Sequence, residues 1–150
     1  MARDGPYILL VEDDERDAEM TRRVLSREGV PIPLRHVRDG AEALAVLFPD
    51  DVSPAPPATL PAFVLLDLKL PKVDGLEVLR RVKSHPLTRS IPVVAFTSSR
   101  ESPDIEACYA LGVNSYVVKP LDFDDFSEAV RQTGSYWLLR NEPPVHESED

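Results

Sequence analysis

Five short apolar runs, each closed by a charged or hydroxyl residue and each followed by a stretch with helical spacing, constrain this chain most. The runs are Tyr7 to Val11, Leu34 to Val37, Phe63 to Leu66, Ile91 to Phe96 and Ser115 to Val118. Continuous apolar character over four to six residues suits a strand covered on both faces. Leu34 to Val37 has mixed polarity, which places it at a sheet edge. Between the runs, Met20 and Val24 stand four apart and Gly29 closes the first helix. Asp39 and Glu42 form a capping box for a second helix with Ala41, Leu44 and Phe48 on one face. Asp74 and Glu77 open a third, which carries Leu76, Leu79 and Lys83 with Val78 and Val82 and closes at His85-Pro86. Ser102-Pro103 reads as cap and first position of a fourth helix that runs to Gly112. Asp122 caps a long fifth helix with Phe126, Val130, Thr133 and Trp137 on one face. Strand and helix alternate five times. The expectation is an α/β fold with a five-stranded parallel sheet and helices on both faces, a doubly wound (βα)5 arrangement.

The 150 residues suffice for one domain with a substantial core. Pro49 to Pro61 holds five prolines without periodicity and is expected to be an extended surface insertion rather than a domain boundary. The expected domain covers residues 1–140, with an acidic tail over 141–150 that is disordered after Pro144. A net charge of −9 argues against a nucleic-acid partner, because phosphate backbones need a basic face. No stretch approaches the roughly 20 apolar residues of a membrane span, and the first residues have no signal-peptide core. The single cysteine, Cys108, excludes an internal disulfide and fits a reducing compartment, so the expected location is cytoplasmic.

In a parallel sheet the carboxyl ends of the strands share one edge, where chemistry collects. That edge receives Glu12 and Asp13 from the first strand, Asp67 from the third, Thr97 from the fourth and Lys119 from the fifth. Each alone also fits an ordinary solvated loop residue. Together, three carboxylates repel each other until a cation offsets them. Oxygen-only ligands without His or Cys suit Mg²⁺. A hydroxyl and an ammonium beside a metal-bound carboxylate are what an incoming phosphoryl group needs, and aspartate is an established nucleophile for it.

The set Glu12-Asp13, Asp67, Thr97 and Lys119-Pro120 resembles the receiver domain of two-component response regulators, from about Tyr7 to Val130. The resemblance implies a flavodoxin-like sheet in the order 2-1-3-4-5. It implies Asp67 as phospho-acceptor, with Mg²⁺ held by Asp13, Asp67 and the backbone carbonyl of Lys69, and by Glu12 through a water. Thr97 is then the switch hydroxyl, Lys119 the phosphoryl-pairing lysine, and Tyr116 the switch aromatic that follows Thr97 inward. The alternative for Tyr116 is an edge-strand aromatic packed on the last helix.

Only about twenty residues follow the receiver core, too few for an output domain, so a stand-alone regulator is expected. Its donor would be a sensor histidine kinase, and its only chemistry self-phosphorylation and self-dephosphorylation rather than enzymatic turnover. The insertion and the extension bearing Tyr136 and Trp137 resemble single-domain regulators paired with bacterial phytochrome kinases. That narrower resemblance implies a bacteriophytochrome partner and a homodimer through the fourth-helix to fifth-helix face, with Tyr136 and Trp137 at the interface. Two rivals stay open. One is a phosphatase with an aspartyl-phosphate intermediate, although Lys69 stands where its second aspartate belongs. The other is a dimeric scaffold, which has no need of the acidic cluster.

Overall fold

The computed structural model describes residues 7–29 and 32–142. The acidic tail after Pro144 lies outside them, as does Pro31 of the turn before the second strand. In chain order the elements are β1 (Ile8–Val11), α1 (Glu15–Arg27), β2 (Leu34–Val37), α2 (Gly40–Leu47), β3 (Phe63–Leu66), α3 (Gly75–Ser84), β4 (Val93–Thr97), α4 (Ser102–Ala110), β5 (Ser115–Val118) and α5 (Phe123–Ser135). The strands form one parallel sheet in the order β2-β1-β3-β4-β5. This is the flavodoxin-like arrangement expected from the sequence.

The period of two along a strand divides the core. Leu9 and Val11 of β1 and Val64 and Leu66 of β3 point to one side, where they meet Ala43, Leu47, Val78, Leu79 and Val82 of α2 and α3 and Cys108 of α4. Ile8, Leu10, Phe63 and Leu65 point to the other, against Ala18, Val24 and Leu25 of α1 and Phe126 and Val130 of α5. Each large side chain so buried contributes roughly 1.5–3 kcal/mol. Both faces are covered over the central strands, which is why β1, β3 and β4 read as continuous apolar runs while the edge strands β2 and β5 do not.

Helix starts follow the sequence closely. Asp14, Asp39, Asp74 and Asp122 are N-caps whose side chains accept amide N–H groups of the first turns. The α4 start differs: Glu101 is the cap residue and Ser102 the first helical one, with no side-chain cap bond. The buried face of α2 also differs in part. Leu44 and Phe48 pack on the core as expected, together with Ala43 and Leu47, whereas Ala41 is exposed. The run Gly-Ala-Glu-Ala-Leu-Ala-Val-Leu is apolar nearly all round, so periodicity alone could not place Ala41. The fifth helix ends at Ser135 and continues as a π-helical turn, Tyr136–Arg140.

The proline-rich insertion is anchored. Ala55 is buried, and its N–H donates to the Leu47 carbonyl at 2.8 Å. Arg81 of α3 donates to the Asp51 carbonyl at 3.1 Å, and its guanidinium lies 4.6 Å from the centre of the Phe48 ring. A short 3-10 turn, Pro57–Thr59, leads into β3.

Candidate functional site

Each strand-end residue is delivered to the edge by the sheet register. Val11 pairs with Leu66, so the residues following them, Glu12 and Asp67, emerge side by side. Glu12, Asp13 and Asp67 each offer an oxygen, all within 4.8 Å of one another. Glu12 and Asp67 are buried while Asp13 is exposed. Lys119 follows β5 and reaches back across the edge. Its Nζ lies 2.7 Å from Glu12, 2.9 Å from Asp17 and 3.2 Å from Asp67.

Burial pushes the Glu12 carboxyl up to about 7, against the pull of Lys119 and with a further push from Asp67. Burial lowers the Lys119 ammonium, but the Asp67 and Glu12 carboxylates and hydrogen bonds to Asp17 and Glu12 outweigh it, so its pKa rises above the ordinary lysine value. Lys119 thus stays charged and offsets part of the repulsion. The surplus of carboxylates over this ammonium, all oxygen donors and one of them open to solvent, fits a hard divalent cation that keeps several waters.

Position 67 is fixed from below by a close approach. A Cβ on Gly75, the first residue of α3, would lie 2.4 Å from the Asp67 carbonyl oxygen and 2.7 Å from the Leu68 Cα. The Gly75 N–H donates to the Leu68 carbonyl at 3.1 Å. Gly40 grips the same loop from the other side: its Cβ would lie 1.8 Å from the Val73 carbonyl oxygen. The Lys69 N–H points to Asp67 Oδ1 at 3.4 Å, and the Lys69 ammonium reaches Asp104 at 3.6 Å.

Thr97 is fully buried at the end of β4, and its Oγ1 accepts from the Ser99 N–H at 3.3 Å. Ser99 Oγ donates to Asp104 at 2.5 Å. That bond, ahead of the nearby Lys69 charge, holds the Asp104 carboxyl below its usual range. The Tyr116 hydroxyl donates to the Ser99 carbonyl at 2.9 Å, so its ring is turned toward the loop after β4. It packs on the α2–α4 side of the sheet, not against α5. Tyr136 and Trp137 stand elsewhere, beyond the carboxyl end of α5 and away from the acidic edge. Their rings meet edge to face at 4.9 Å; Trp137 leans on the α1–α5 core and Tyr136 is half exposed. Asp17 was not singled out in the sequence. It sits near the start of α1, where an acid reads as a helix-capping residue.

The response regulator receiver domain family matches this chain over residues 8–131. The chain belongs to the response regulator receiver family. The receiver is 41% identical over 143 residues to the "Probable methanogenesis regulatory protein FilR2" of Methanothrix harundinacea, covering 95% of this chain and 90% of that protein. It is 39% identical over 131 residues to the response regulator Rcp1 of Synechocystis, covering 87% of this chain and 88% of that one. The Mn(2+)-bound form of Rcp1 superposes with a TM-score of 0.82 over 93% of this chain and 99% of that chain, at 37% identity. The phosphorylated cyanobacterial phytochrome response regulator RcpA gives 0.84 over 94% of this chain and 99% of that chain, at 35% identity. The receiver is therefore a two-component signalling module, and accepting a phosphoryl group is its family's function. Among the described residues, no helix is long and apolar enough to cross a membrane.

Proposed function

We propose that this protein is a stand-alone, single-domain response regulator, with its receiver over residues 1–140 and a tail over 141–150, that accepts a phosphoryl group on Asp67. The observation that carries this is the placement of Lys119 at 3.2 Å from Asp67 and 2.7 Å from Glu12, beside Asp13. Asp67 is the nucleophile. Lys119 neutralises charge on the phosphoryl oxygens, and the Thr97 hydroxyl donates to one of them once the Ser99 loop shifts. Asp13, Asp67 and the Lys69 carbonyl would hold Mg²⁺ directly, with Glu12 acting through a water. The bound ion would supply further charge neutralisation during transfer. The manganese-bound Rcp1 structure supports a divalent ion of this kind.

The donor is a sensor histidine kinase. Similarity to Rcp1 and to a phytochrome response regulator favours a phytochrome kinase. With Lys69 rather than an acid two residues past Asp67, the site lacks a general acid for turnover at that position, so its chemistry is self-phosphorylation and slow self-dephosphorylation. The phosphoryl group draws Thr97 inward and Tyr116 with it, and the α4–β5–α5 surface changes for its reader. Exposed Tyr109 on α4 and Tyr136 past α5 support a homodimer through the fourth-helix to fifth-helix face, with Trp137 beside it. The setting is cytoplasmic.

Intact mass after incubation with Mg²⁺ and acetyl phosphate tests the chemistry. One phosphoryl adduct in the wild type, lost with chelator and absent in Asp67→Asn, is the expected result. An adduct that persists in Asp67→Asn moves the acceptor elsewhere and ends this assignment. Sedimentation at high micromolar protein tests the dimer; a monomeric mass with and without phosphorylation removes it.

A further inference from the structure

Lys119 is held by three carboxylates, and only two of them have a part in the proposed reaction. The third, Asp17, is the third residue of α1. An acid at that position ordinarily reaches back to the N–H of the cap residue. Here that N–H, on Asp14, donates to Glu12 Oε2 at 3.1 Å. The Asp17 carboxylate instead reaches a lysine 102 positions away, at 2.9 Å. This contact exists only on the assembled edge and does nothing for the local helix.

The three partners differ in their freedom. The Glu12 and Asp67 side chains are 2% and 9% exposed, whereas that of Asp17 is 26% exposed. Asp17 lies on the outer side of the ammonium, at an open groove shared with Met20, Ser98, Leu121 and Phe123. The Lys119 ammonium donates to Asp17 at 2.9 Å and to Asp67 at 3.2 Å and pairs with Glu12 at 2.7 Å, so three carboxylates crowd it. A phosphoryl oxygen reaching for Lys119 competes with these three carboxylates, and one of them must withdraw to make room. Glu12 is too buried to withdraw, and Asp67 is the attacking nucleophile. Asp17 alone can leave for water at small cost.

Building on the reading of Asp67 as acceptor, we propose that Asp17 is a positioning residue that holds the outer proton of Lys119 until an incoming phosphoryl group replaces it. In the step, an Asp67 oxygen bonds to phosphorus as the donor's bond to phosphorus breaks, releasing acetate when acetyl phosphate is the donor. Lys119 keeps its proton and exchanges an Asp17 oxygen for a phosphoryl oxygen. Asp17 therefore slows uptake and competes with the bound phosphoryl group.

The test is the rate of phosphorylation by acetyl phosphate in saturating Mg²⁺, together with affinity for beryllofluoride. The wild type is compared with Asp17→Asn, Asp17→Glu, Lys119→Ala and the Asp17→Asn/Lys119→Ala double variant. Removing a competing, partly exposed charge pair raises rate and affinity roughly three- to tenfold in Asp17→Asn. Asp17→Glu, which restores the charge, brings both back toward the wild type. In the Lys119→Ala background the Asp17 substitution has no effect, a coupling that a purely structural role would not produce. An unchanged or lower rate in a folded Asp17→Asn protein overturns the inference while leaving Asp67 as acceptor. The same acceleration without Lys119 also overturns it. Failure of the wild type to take up either reagent removes the reading of Asp67 and this inference together.

Discussion

Replacing Gly75 by alanine sets two effects against each other. Alanine is the better helix former by about 1 kcal/mol, so propensity alone predicts a more stable protein. Against it, the new Cβ would lie 2.4 Å from the Asp67 carbonyl oxygen and 2.7 Å from the Leu68 Cα, where ordinary contact begins at 3.4 Å. Both neighbours are backbone, so no side-chain rotation relieves the overlap. Overpacking of this kind costs about 1–3 kcal/mol, and its upper end applies when backbone must move. The net expectation is a loss of about 1–2 kcal/mol, or roughly 2–8 °C in Tm for a chain of this size. The overlap of about 1 Å must also displace Asp67 or the start of α3, and a shift of that size in a reacting group slows transfer by up to about 100-fold. Urea unfolding and the rate of acetyl phosphate uptake measure the two consequences. Gly29→Ala is the control. Gly29 has φ +70° with nothing within 4 Å of its Cβ position, so it should lose about 1 kcal/mol from backbone strain alone. That variant should keep its rate of uptake. A Gly75→Ala protein as stable as the wild type, or equally fast, would refute the argument that the close approach of α3 sets the position of Asp67.

Tyr116→Phe removes the hydroxyl bond to the Ser99 carbonyl and should cost about 0.5–1.5 kcal/mol in urea unfolding while Asp67 still accepts phosphoryl; loss of acceptance would assign the hydroxyl a chemical part. Arg81→Ala removes a carbonyl bond and a ring contact from the insertion, so limited proteolysis should open at residues 49–61 first, with a global loss near 1 kcal/mol; cleavage unchanged from wild type would show the anchor to be inert. Glu12, raised from 4.5 to about 7 chiefly by burial, binds its proton more tightly in the folded chain. The metal-free protein should therefore lose stability as pH rises from about 4.5 through 7. Divalent affinity should rise over the upper part of that window as the carboxylate ionises. In calorimetric titrations Glu12→Gln should flatten both trends, and an unaltered pH profile would place the titration elsewhere.

The edge was legible because parallel topology leaves no freedom about which ends of the strands meet. Once β1 and β3 pair in register, Glu12 and Asp67 must be neighbours, and Lys119 follows from the placement of β5. The N-terminal caps were legible because an Asp side chain satisfying free amides is a local matter. What escaped reading was decided by distant partners. Asp17 carries the ordinary signature of a first-turn acid, and only Glu12's hold on the Asp14 amide redirects it. On α2, Leu44 and Phe48 were read on the core side, but Ala41 was misplaced because nearly every side of that helix is apolar. The insertion looked structureless because its anchors, Leu47 and Arg81, belong to neighbouring elements. Trp137 had two readings, on the helix face of Phe126 and Val130 and at an interface with Tyr136; it packs on the core with Phe126 and Val130, while Tyr136 is half exposed.

The ammonium of Lys119 also ties chemistry to the order of synthesis. Its carboxylate partners precede it by 52 positions at Asp67 and 102 at Asp17. A chain still emerging from the ribosome holds Glu12, Asp17 and Asp67 long before the lysine that pairs with them. Until β5 docks against β4, those carboxylates face one another without that cation, and long-range pairing of this kind closes late. The complete charge balance of the edge is thereby a property of the finished sheet alone.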